Sequence, residues 1–276
     1  MYKSIYKIII LFYLSLVFIS CSINNLSERR RIRNLVMIDS LRVDFNFDKA
    51  CYSHTDRIFY LLNTNSNEIY IYNKSGLINT IGKPGFEKEN FRKLSDITIG
   101  IDGHLYALDS FEKSIKKFNK DGVFLTQINL DNVISPEKFA FTNYGSLLIF
   151  DAHRKEILYL DAFDFKTKFT FGKFQIEKAE FIVINGSYLS VYDLTNHETL
   201  IFSINGQFEN SMPFKGINDS YNNLITLKDN SIVVYKTDDV LHKEDILIKY
   251  YSISSNLLCV ATNKYIKIFE INYETF

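Results

Sequence analysis

The sequence predicts an all-β fold made of repeated four-stranded antiparallel units. Short apolar or alternating runs recur along the chain, turns rich in Gly, Asn and Asp separate them, and helical periodicity is absent after the N-terminal segment. Aromatic residues make up 15% of the 276 residues, with 24 Phe and 18 Tyr, and such residues favour strands. The chain is therefore expected to fold from hairpins of short strands.

The clearest unit lies at residues 91–127. It contains four apolar or alternating runs, at residues 96–101, 105–108, 115–118 and 123–128. Asp-Gly separates the first two runs and the last two, and a polar tip separates the middle pair. Asp-Gly is typical of tight hairpins because both central positions must tolerate a positive φ. Four strands joined by three tight turns make one antiparallel blade.

Equivalent second strands recur along the chain at a regular spacing. They end at Asn63, Asp109, Asp151, Asp193 and Lys236, which gives a spacing of 42 to 46 residues. Five first strands are expected before them, at residues 50–53, 96–100, 138–142, 180–184 and 223–227. This spacing is typical of a four-stranded propeller blade, so the sequence predicts a single β-propeller.

The unit at residues 105–118 resembles an NHL repeat. In that family an aromatic-rich second strand ends in Ala-Asp, and an Ile-x-x-Phe third strand precedes Asp-Gly. Residues 86–128 match best, and the resemblance extends more loosely over residues 47–270. The family's usual Pro-x-Gly before the first strand is replaced here by Leu-Ser-Asp at residues 94–96. The resemblance implies a propeller fold and specifies fold far better than function.

The C-terminal part of the chain is less regular. Residues 256–269 look like a second and a third strand, but they begin only about 25 residues after the fifth equivalent. Either the fifth blade is short or the sixth lacks a strand, and residues 246–251 could belong to either blade. The alternating stretch at residues 35–45 is predicted to pair with the last blade as its outer strand, because closing the ring removes two exposed edges. Six blades are predicted, with five as the alternative.

Residues 1–20 have the layout of a secretory signal peptide. Lys3 and Lys7 precede an apolar run at residues 8–19. The run is shorter than the roughly 20 apolar residues that span a bilayer comfortably. The expected organisation is a signal peptide at residues 1–20, Cys21 with a polar tether at residues 21–34, and a propeller domain at residues 35–276.

Ser20 and Cys21 resemble the lipobox of bacterial lipoproteins, with Phe18 where a stricter lipobox has Leu. The resemblance implies that Cys21 becomes the acylated N-terminus, carrying palmitate or a similar chain. Ser22, rather than Asp, resembles the pattern that favours the outer over the inner membrane. An ordinary signal peptide, or a short membrane anchor with an incidental Cys, is the alternative. Four Arg at residues 29–33 either pair with anionic headgroups or belong to a solvated linker.

Composition and motifs exclude several kinds of site. Lys+Arg and Asp+Glu are equal at 32 each, so the chain has no formal net charge, and no nucleic-acid partner is expected because such a partner requires a basic surplus. His-x-His, His-Glu-x-x-His and Cys-x-x-Cys do not occur in the sequence. No metal, cofactor or catalytic constellation is therefore assigned.

The tips between second and third strands form the predicted ligand face. These tips, with the loops that enter the first strands, ring one face of a propeller around its central channel. The candidate ligand-face residues are Arg92, Lys93, Lys113, His153, Arg154 and His197. Together with neighbouring amide and aromatic groups they suit a peptide or glycan with acidic or hydroxyl groups. The alternative is that they are solvated turn residues of the kind any propeller displays.

Two cysteines, Cys51 and Cys259, remain besides Cys21. In a closed ring they lie in neighbouring blades, and an exported compartment permits a disulfide. Two buried free thiols are the expected state, since bridging requires Cα atoms within about 7 Å, and a disulfide is the alternative.

These observations predict an envelope lipoprotein that acts as a binding or scaffolding propeller for a protein or glycan partner. Its membrane contact is expected through the lipid anchor, at the outer rather than the inner membrane. One alternative is a periplasmic propeller enzyme, a hydrolase or a lyase. Another is a surface-exposed adhesin or antigen, which differs only in orientation.

Overall fold

The computed structural model describes residues 30–83, 85, 87–235 and 237–275. The predicted signal peptide and the predicted lipidation site at Cys21 lie outside these residues. The described residues form 24 strands in six four-stranded antiparallel sheets. Within the described ranges, no helix is long and apolar enough to cross a membrane. The fold is the six-bladed β-propeller that the sequence predicts, and the five-blade alternative is wrong.

The strands follow the chain in blade order, after the long strand β1 (Arg30–Arg42). Blades one and two contain β2 (Lys49–Ser53), β3 (Ile58–Asn63), β4 (Glu68–Asn73), β5 (Gly76–Ile81), β6 (Leu94–Ile99), β7 (Leu105–Asp109), β8 (Ser114–Phe118) and β9 (Phe124–Asn129). Blades three and four contain β10 (Pro136–Phe141), β11 (Leu147–Asp151), β12 (Glu156–Leu160), β13 (Thr167–Phe171), β14 (Ala179–Asn185), β15 (Tyr188–Asp193), β16 (Glu198–Ser203) and β17 (Phe208–Met212). Blades five and six contain β18 (Gly216–Asn218), β19 (Leu224–Lys228), β20 (Ser231–Val234), β21 (Asp239–Lys243), β22 (Tyr250–Ser254), β23 (Leu257–Ala261) and β24 (Tyr265–Thr275).

The ring closes through β1, which is the outer strand of blade six in the order β1-β24-β23-β22. Arg30 pairs with Thr275 and Arg42 pairs with Tyr265. This confirms the predicted closure by the N-terminal segment. The strand begins five residues earlier than the predicted domain boundary at Leu35, so residues 30–34 belong to the propeller and not to the tether.

Blade five contains the main error in the predicted strands. Residues 223–227 were expected as its first strand and residues 232–236 as its second, but β19 and β20 are its second and third strands. The first strand is β18, which has only three residues and therefore no alternating run to recognise. Blade six begins with β22, so neither blade lacks a strand, and the chain's own N-terminal strand completes the sixth.

The β1–β24 pair is longer than the other strand pairs and packs against blade five. Arg31 Nη2 lies 2.7 Å from Oδ2 of Asp239, and the side-chain amide of Asn223 donates to the carbonyl oxygen of Arg30 at 2.9 Å. Ile32 is buried in the same apolar cluster as Ile225. The closing pair thus covers the blade with the shortest inner strand.

Apolar side chains fill the space between neighbouring blades. Between blades one and two, Tyr60, Ile71, Ile97 and Phe118 are fully buried in one cluster. Complete burial of a side chain of this size contributes roughly 1.5–3 kcal/mol. Second strands such as β7 and β11 are buried at every position, because a neighbouring blade packs on each side of them. This explains why they are continuous apolar runs rather than alternating ones.

The strand register defines two faces. In blade two, Leu94 at the start of β6 pairs with Asp109 at the end of β7, and Ile99 pairs with Leu105. One face, here called the tip face, therefore carries the turns between second and third strands and the connections between blades. The opposite face, here called the underside, carries the turns between first and second strands and between third and fourth strands.

Candidate binding site on the tip face

A buried carboxylate fixes the tip of blade two. The side chain of Asp109 is fully buried at the end of β7. Its Oδ2 accepts a hydrogen bond from the backbone N–H of Arg92 at 2.7 Å, and its Oδ1 accepts from Phe111 at 3.1 Å and Glu112 at 3.0 Å. The backbone N–H of Lys93 also donates to Oδ1, at 3.2 Å. One carboxylate therefore joins the loop that enters the blade to the tip of the same blade.

The same carboxylate clamp recurs in blades three and four. Asp151 accepts hydrogen bonds from the backbone of Ile134 at 2.8 Å and of His153 at 3.0 Å. Asp193 accepts from the backbone of Glu177 at 2.5 Å and of Thr195 at 2.8 Å. The sequence places an Asp at each of these strand ends without indicating its role. The backbone on which the candidate ligand-face residues stand is thereby held in one conformation, which lowers the entropic cost of binding.

The two tip histidines occupy different positions of equivalent turns. His153 follows Asp151 by two residues, whereas His197 is the last residue of its turn, with φ at 55°. Lys113 and Lys155 take the same left-handed position, with φ at 53° and 54°. The role of His197 in this structure is therefore chiefly that of a turn residue with a left-handed backbone conformation. No group of three His, Cys, Asp or Glu side chains in the described part of the chain is arranged to hold a metal ion.

The remaining candidates lie in different surroundings. Arg92, Lys93, Lys113, His153 and His197 are exposed, and Arg154 is half-buried, with its Nε 3.8 Å from Oδ2 of Asp151. Of these residues, Arg92 lines the cavity described below. The candidate set is thus spread over three blade tips, and it does not form one cluster.

A cavity of about 470 Å³ opens at the tip of blade two. The guanidinium of Arg92 lies 4.7 Å from the ring centroid of the exposed Phe111, within cation–π distance. The residues lining the cavity, here called the blade-two site, are Glu87, Lys88, Arg92, Phe111, Glu112, Ser114, Lys116 and Gln127. The sequence predicts Arg92 as a member of this site, but it does not indicate the strand residues Ser114, Lys116 and Gln127, which look like ordinary positions of β8 and β9.

Two buried polar side chains form the wall of the blade-two site. Lys116 is 1% exposed, and its Nζ donates to the carbonyl oxygen of Asn90 at 2.5 Å and lies 3.0 Å from the Glu112 carboxylate. Ser114 is equally buried, and its hydroxyl has no hydrogen-bond partner among the described residues. A buried hydroxyl without a partner costs about 1–3 kcal/mol. A bound group that reaches Ser114 would recover this cost.

The site combines three cationic with two acidic side chains, an amide, a hydroxyl and an aromatic ring. Lys88, Arg92 and Lys116 exceed Glu87 and Glu112 by one charge. Guanidinium and ammonium groups donate strongly to carboxylates, and Ser and Gln side chains can bond to hydroxyls. The arrangement can therefore hold one carboxylate or several hydroxyl groups beside an apolar ring.

A second cavity, of about 340 Å³, lies in the central channel and extends to first-to-second strand turns on the underside. Inside it, Lys49 Nζ lies 2.7 Å from Oδ1 of Asp96, whose Oδ2 accepts from the backbone N–H of Phe139 at 3.1 Å. Burial would lower the pKa of Lys49, but the Asp96 carboxylate outweighs it and the pKa is raised. This ion pair joins the first strands of blades one and two. The hydrogen bond from the backbone of Phe139 to Asp96 adds the first strand of blade three.

Asn185 joins blades four, five and six beside the channel. Its Nδ2 donates to the carbonyl oxygens of Asn218 at 2.9 Å and Ile253 at 3.2 Å, and its Oδ1 accepts from the N–H of Ser255 at 3.1 Å. These contacts hold the short strand β18 of blade five against blades four and six. Lys49, Asp96 and Asn185 thus bind other groups of the propeller and hold its blades together.

Cys51 and Cys259 both line the channel as unbridged thiols. The disulfide alternative is therefore wrong for this structure. Burial raises the pKa of Cys51 to about 11, and burial raises the pKa of Cys259 as well. Neither thiol is expected to be a reactive thiolate at neutral pH, because nucleophilic cysteines require a lowered pKa.

Comparison with protein families gives a match over half of the chain. A family model described as 6-bladed beta-propeller (DUF5128) matches residues 46–188, which are 143 of the 276 residues. A comparison with curated proteins gives no match.

Several solved structures have a similar fold. Virginiamycin B lyase from Staphylococcus aureus is 11% identical, with a TM-score of 0.56, and the match covers 85% of this chain and 99% of that chain. The WD40 domain of Pan2 from Neurospora crassa is 9% identical, with a TM-score of 0.54, and the match covers 91% of this chain and 98% of that chain. At these identities the likeness shows the shared fold alone.

Proposed function

The chain belongs to the 6-bladed β-propeller family DUF5128, and from this premise we propose that it is a lipid-anchored binding propeller of the bacterial cell envelope. It holds a protein or glycan partner on its tip face. The observation that carries this proposal is the blade-two site, where Arg92 and the exposed Phe111 flank a cavity with an unpartnered buried hydroxyl at Ser114. The repeats are of the NHL-like kind.

The residue types in the blade-two site suit recognition of a large partner. Aromatic and Arg side chains carry most of the binding energy at protein interfaces. Lys116 and Arg92 supply donors for a carboxylate of an acidic peptide or an acidic sugar, and Ser114 supplies one more bond to a hydroxyl. The carboxylate clamp at Asp109 orders the backbone of Arg92 and Phe111 before binding. Less conformational entropy is then lost when the partner arrives.

The proposed anchor is acylation of Cys21. Two or more acyl chains contribute about 0.8 kcal/mol per buried methylene, which is enough for stable attachment to a membrane. Arg30, the first residue of β1, follows Cys21 by nine residues. Even a fully extended segment of this length spans only about 30 Å. The propeller is therefore held close to the membrane that carries the anchor, which we assign to the outer membrane.

Affinity capture from envelope extracts tests the binding function. The full chain, carrying an affinity tag, is compared with its Phe111→Ala and Arg92→Ala variants. The wild-type protein is expected to recover one protein or glycan, and each variant is expected to recover at least tenfold less of it. Phe174→Ala is the matched control, because Phe174 is an exposed aromatic residue on the same face outside the blade-two site.

Two results would contradict the proposal. Equal recovery by all variants would remove the blade-two site from partner binding. If the purified protein captures no partner and instead hydrolyses an ester, a lactone or a glycan, the chain is an enzyme.

Protease accessibility on intact cells then distinguishes a periplasmic protein from a surface-exposed adhesin.

The anchor is tested separately by metabolic labelling with a palmitate analogue. Wild-type protein is expected to incorporate the label and to sediment with membranes. Cys21→Ser is expected to lose the label and to leave the membrane fraction. A Cys21→Ser protein that remains fully membrane-bound would contradict the lipid anchor.

A further inference from the structure

An apolar patch lies on the underside of blades two and three. Ile101 is 65% exposed, Tyr144 is 78% exposed and Phe163 is 95% exposed. The turns that carry them are adjacent, because a Cβ placed on Gly145, next to Tyr144, would lie 3.4 Å from Cδ1 of Ile101 and 3.7 Å from Cβ of Ala162, next to Phe163. Exposed apolar side chains grouped on adjacent turns favour an interaction surface, whereas singly scattered ones do not.

The chain enters the propeller on the same face. Leu257, at the underside end of β23, pairs with Glu270, and β24 continues past it to Thr275, the partner of Arg30. The segment of residues 22–29, between Cys21 and Arg30, therefore joins the propeller at the underside. Blade six, which contains β1, lies three blades away from blade three, across the ring. The anchor and the patch thus stand on opposite sides of one face.

Three carboxylates beside the patch lie in ion pairs, and one of them is Asp164, whose Oδ2 lies 3.4 Å from Lys166 Nζ. Lys117 Nζ lies 2.7 Å from Oδ2 of Asp102, next to Ile101. Lys168 pairs with Asp161 in the turn that carries Phe163. Lipid headgroups would therefore meet little uncompensated negative charge around the apolar side chains.

From these observations we propose that the underside rests on the lipid bilayer, with Ile101, Tyr144 and Phe163 inserted at the headgroup boundary. This inference depends on the lipid anchor of the proposed function. Aromatic side chains suit the boundary because an apolar ring can enter it while a Tyr hydroxyl stays hydrated. The short tether brings the underside to the membrane, and the patch opposite the anchor keeps this face parallel to it. The tip face then points away from the membrane, toward the proposed partner.

Fluorophore labelling of the full acylated chain on vesicles tests the orientation. An environment-sensitive fluorophore is attached at Phe163→Cys, and the vesicles contain phosphatidylethanolamine and phosphatidylglycerol. We expect its emission to shift to shorter wavelength and its quenching by iodide to fall severalfold when vesicles are added. Phe174→Cys is the matched control, because Phe174 is 91% exposed but lies on the tip face, and its label is expected to stay water-like.

The outcomes separate this inference from the function on which it depends. If the protein floats with vesicles and both labels stay water-like, the anchor is present but the underside does not contact lipid. If the protein does not float with vesicles, the anchor fails and the orientation fails with it. If the shift at Phe163→Cys appears without vesicles and grows with protein concentration, the patch joins two copies of the chain, and the membrane proposal is overturned.

Discussion

At the scale of single residues, the carboxylate of Asp109 connects the sequence repeat to the proposed site. It accepts four backbone N–H groups, and two of these belong to Arg92 and Phe111. The Asp of the repeat therefore fixes the backbone conformation of the tip. The side chains beside it are the ones proposed to bind the partner. The sequence reveals the Asp because it recurs at blade spacing. It does not reveal the burial of Ser114 or of Lys116, whose Nζ donates to the carbonyl oxygen of Asn90 in the loop before blade two.

Removal of the Asp109 carboxylate should weaken both stability and partner capture. Asp109→Ala leaves four N–H groups without their acceptor, and we expect a loss of about 3 kcal/mol in the free energy of unfolding. Partner capture should fall as well, because the backbone of Arg92 and Phe111 loses its fixed position. Urea denaturation measures the first effect. Asp131→Ala, at an exposed position, is the control, and a loss of similar size there would contradict the clamp.

Asp102 should make stability depend on acid pH. Burial would raise its pKa, but hydrogen bonds from Lys117, Tyr106 and the backbone of His104 outweigh burial and lower the pKa to about 2, from an ordinary value of 3.8. A pKa that folding lowers stabilises the protein fully above about pH 4, and this contribution disappears as pH falls toward 2.

We therefore expect Asp102→Asn to lower the free energy of unfolding at pH 7 by about 1 kcal/mol, after allowance for solvent screening of a side chain about one-third exposed. The difference from wild type should shrink at pH 2.5. Denaturant titrations at the two pH values measure it. Asp121→Asn changes the Asp of the other Asp-Gly turn and should have little effect. A difference that is equal at both pH values would contradict the assignment.

At the scale of elements, the two Asp-Gly turns of blade two lie in different packing environments. Gly103 and Gly122 both follow Asp and both have positive φ, at 76° and 83°. A Cβ on Gly103 would meet no atom within 4 Å, whereas a Cβ on Gly122 would lie 2.5 Å from Cγ2 of Ile81. The two Asp-Gly pairs look alike in the sequence. Only the packing between blades one and two distinguishes them.

Alanine at these two glycines should separate backbone strain from packing. Gly103→Ala is expected to cost about 1 kcal/mol, because an L-residue is forced into a left-handed conformation. Gly122→Ala should cost about 1–3 kcal/mol more, because the new methyl group clashes with Ile81. Thermal and urea denaturation of the two variants give the comparison. Equal losses would show that blades one and two are packed less tightly than in the structure.

Blade five shows why the sequence could predict the ring but not every strand. The unit at residues 91–127 has four recognisable strands because each strand has its own turn signal. In blade five the inner strand β18 has three residues, and it is held by the neighbouring blades through Asn185 rather than by an alternating run of its own. Local pattern predicts regular blades well. It cannot predict a strand whose stability comes from its neighbours.

At the scale of the whole molecule, the N-terminal strand closes the ring and fixes the direction in which the tether leaves. The alternating pattern at residues 35–45 was sufficient to predict this closure. The extension back to Arg30 could not be predicted, because a run of Arg in sequence is typical of a solvated linker. Its pairing with β24 and its contacts with blade five make it part of the propeller.

Ring closure should govern the cooperativity of unfolding. Leu41 on β1 is buried in the cluster shared by blades six and one, whereas Val36 on the same strand is exposed. We expect Leu41→Ala to cost about 2–4 kcal/mol and to broaden the unfolding transition, since blade six loses its outer strand first. Val36→Ala is the control and should change stability by less than about 0.5 kcal/mol. Equal effects would mean that β1 is not part of the closed core.

Site-specific photo-crosslinking in cells shows whether the tip face contacts the partner. A photoreactive amino acid replaces Phe111 on the tip face in one variant and Phe163 on the underside in another. We expect an adduct of the chain with one protein or glycan from position 111, and no such adduct from position 163. An adduct from position 163 with none from position 111 would contradict both the blade-two site and the orientation of the propeller.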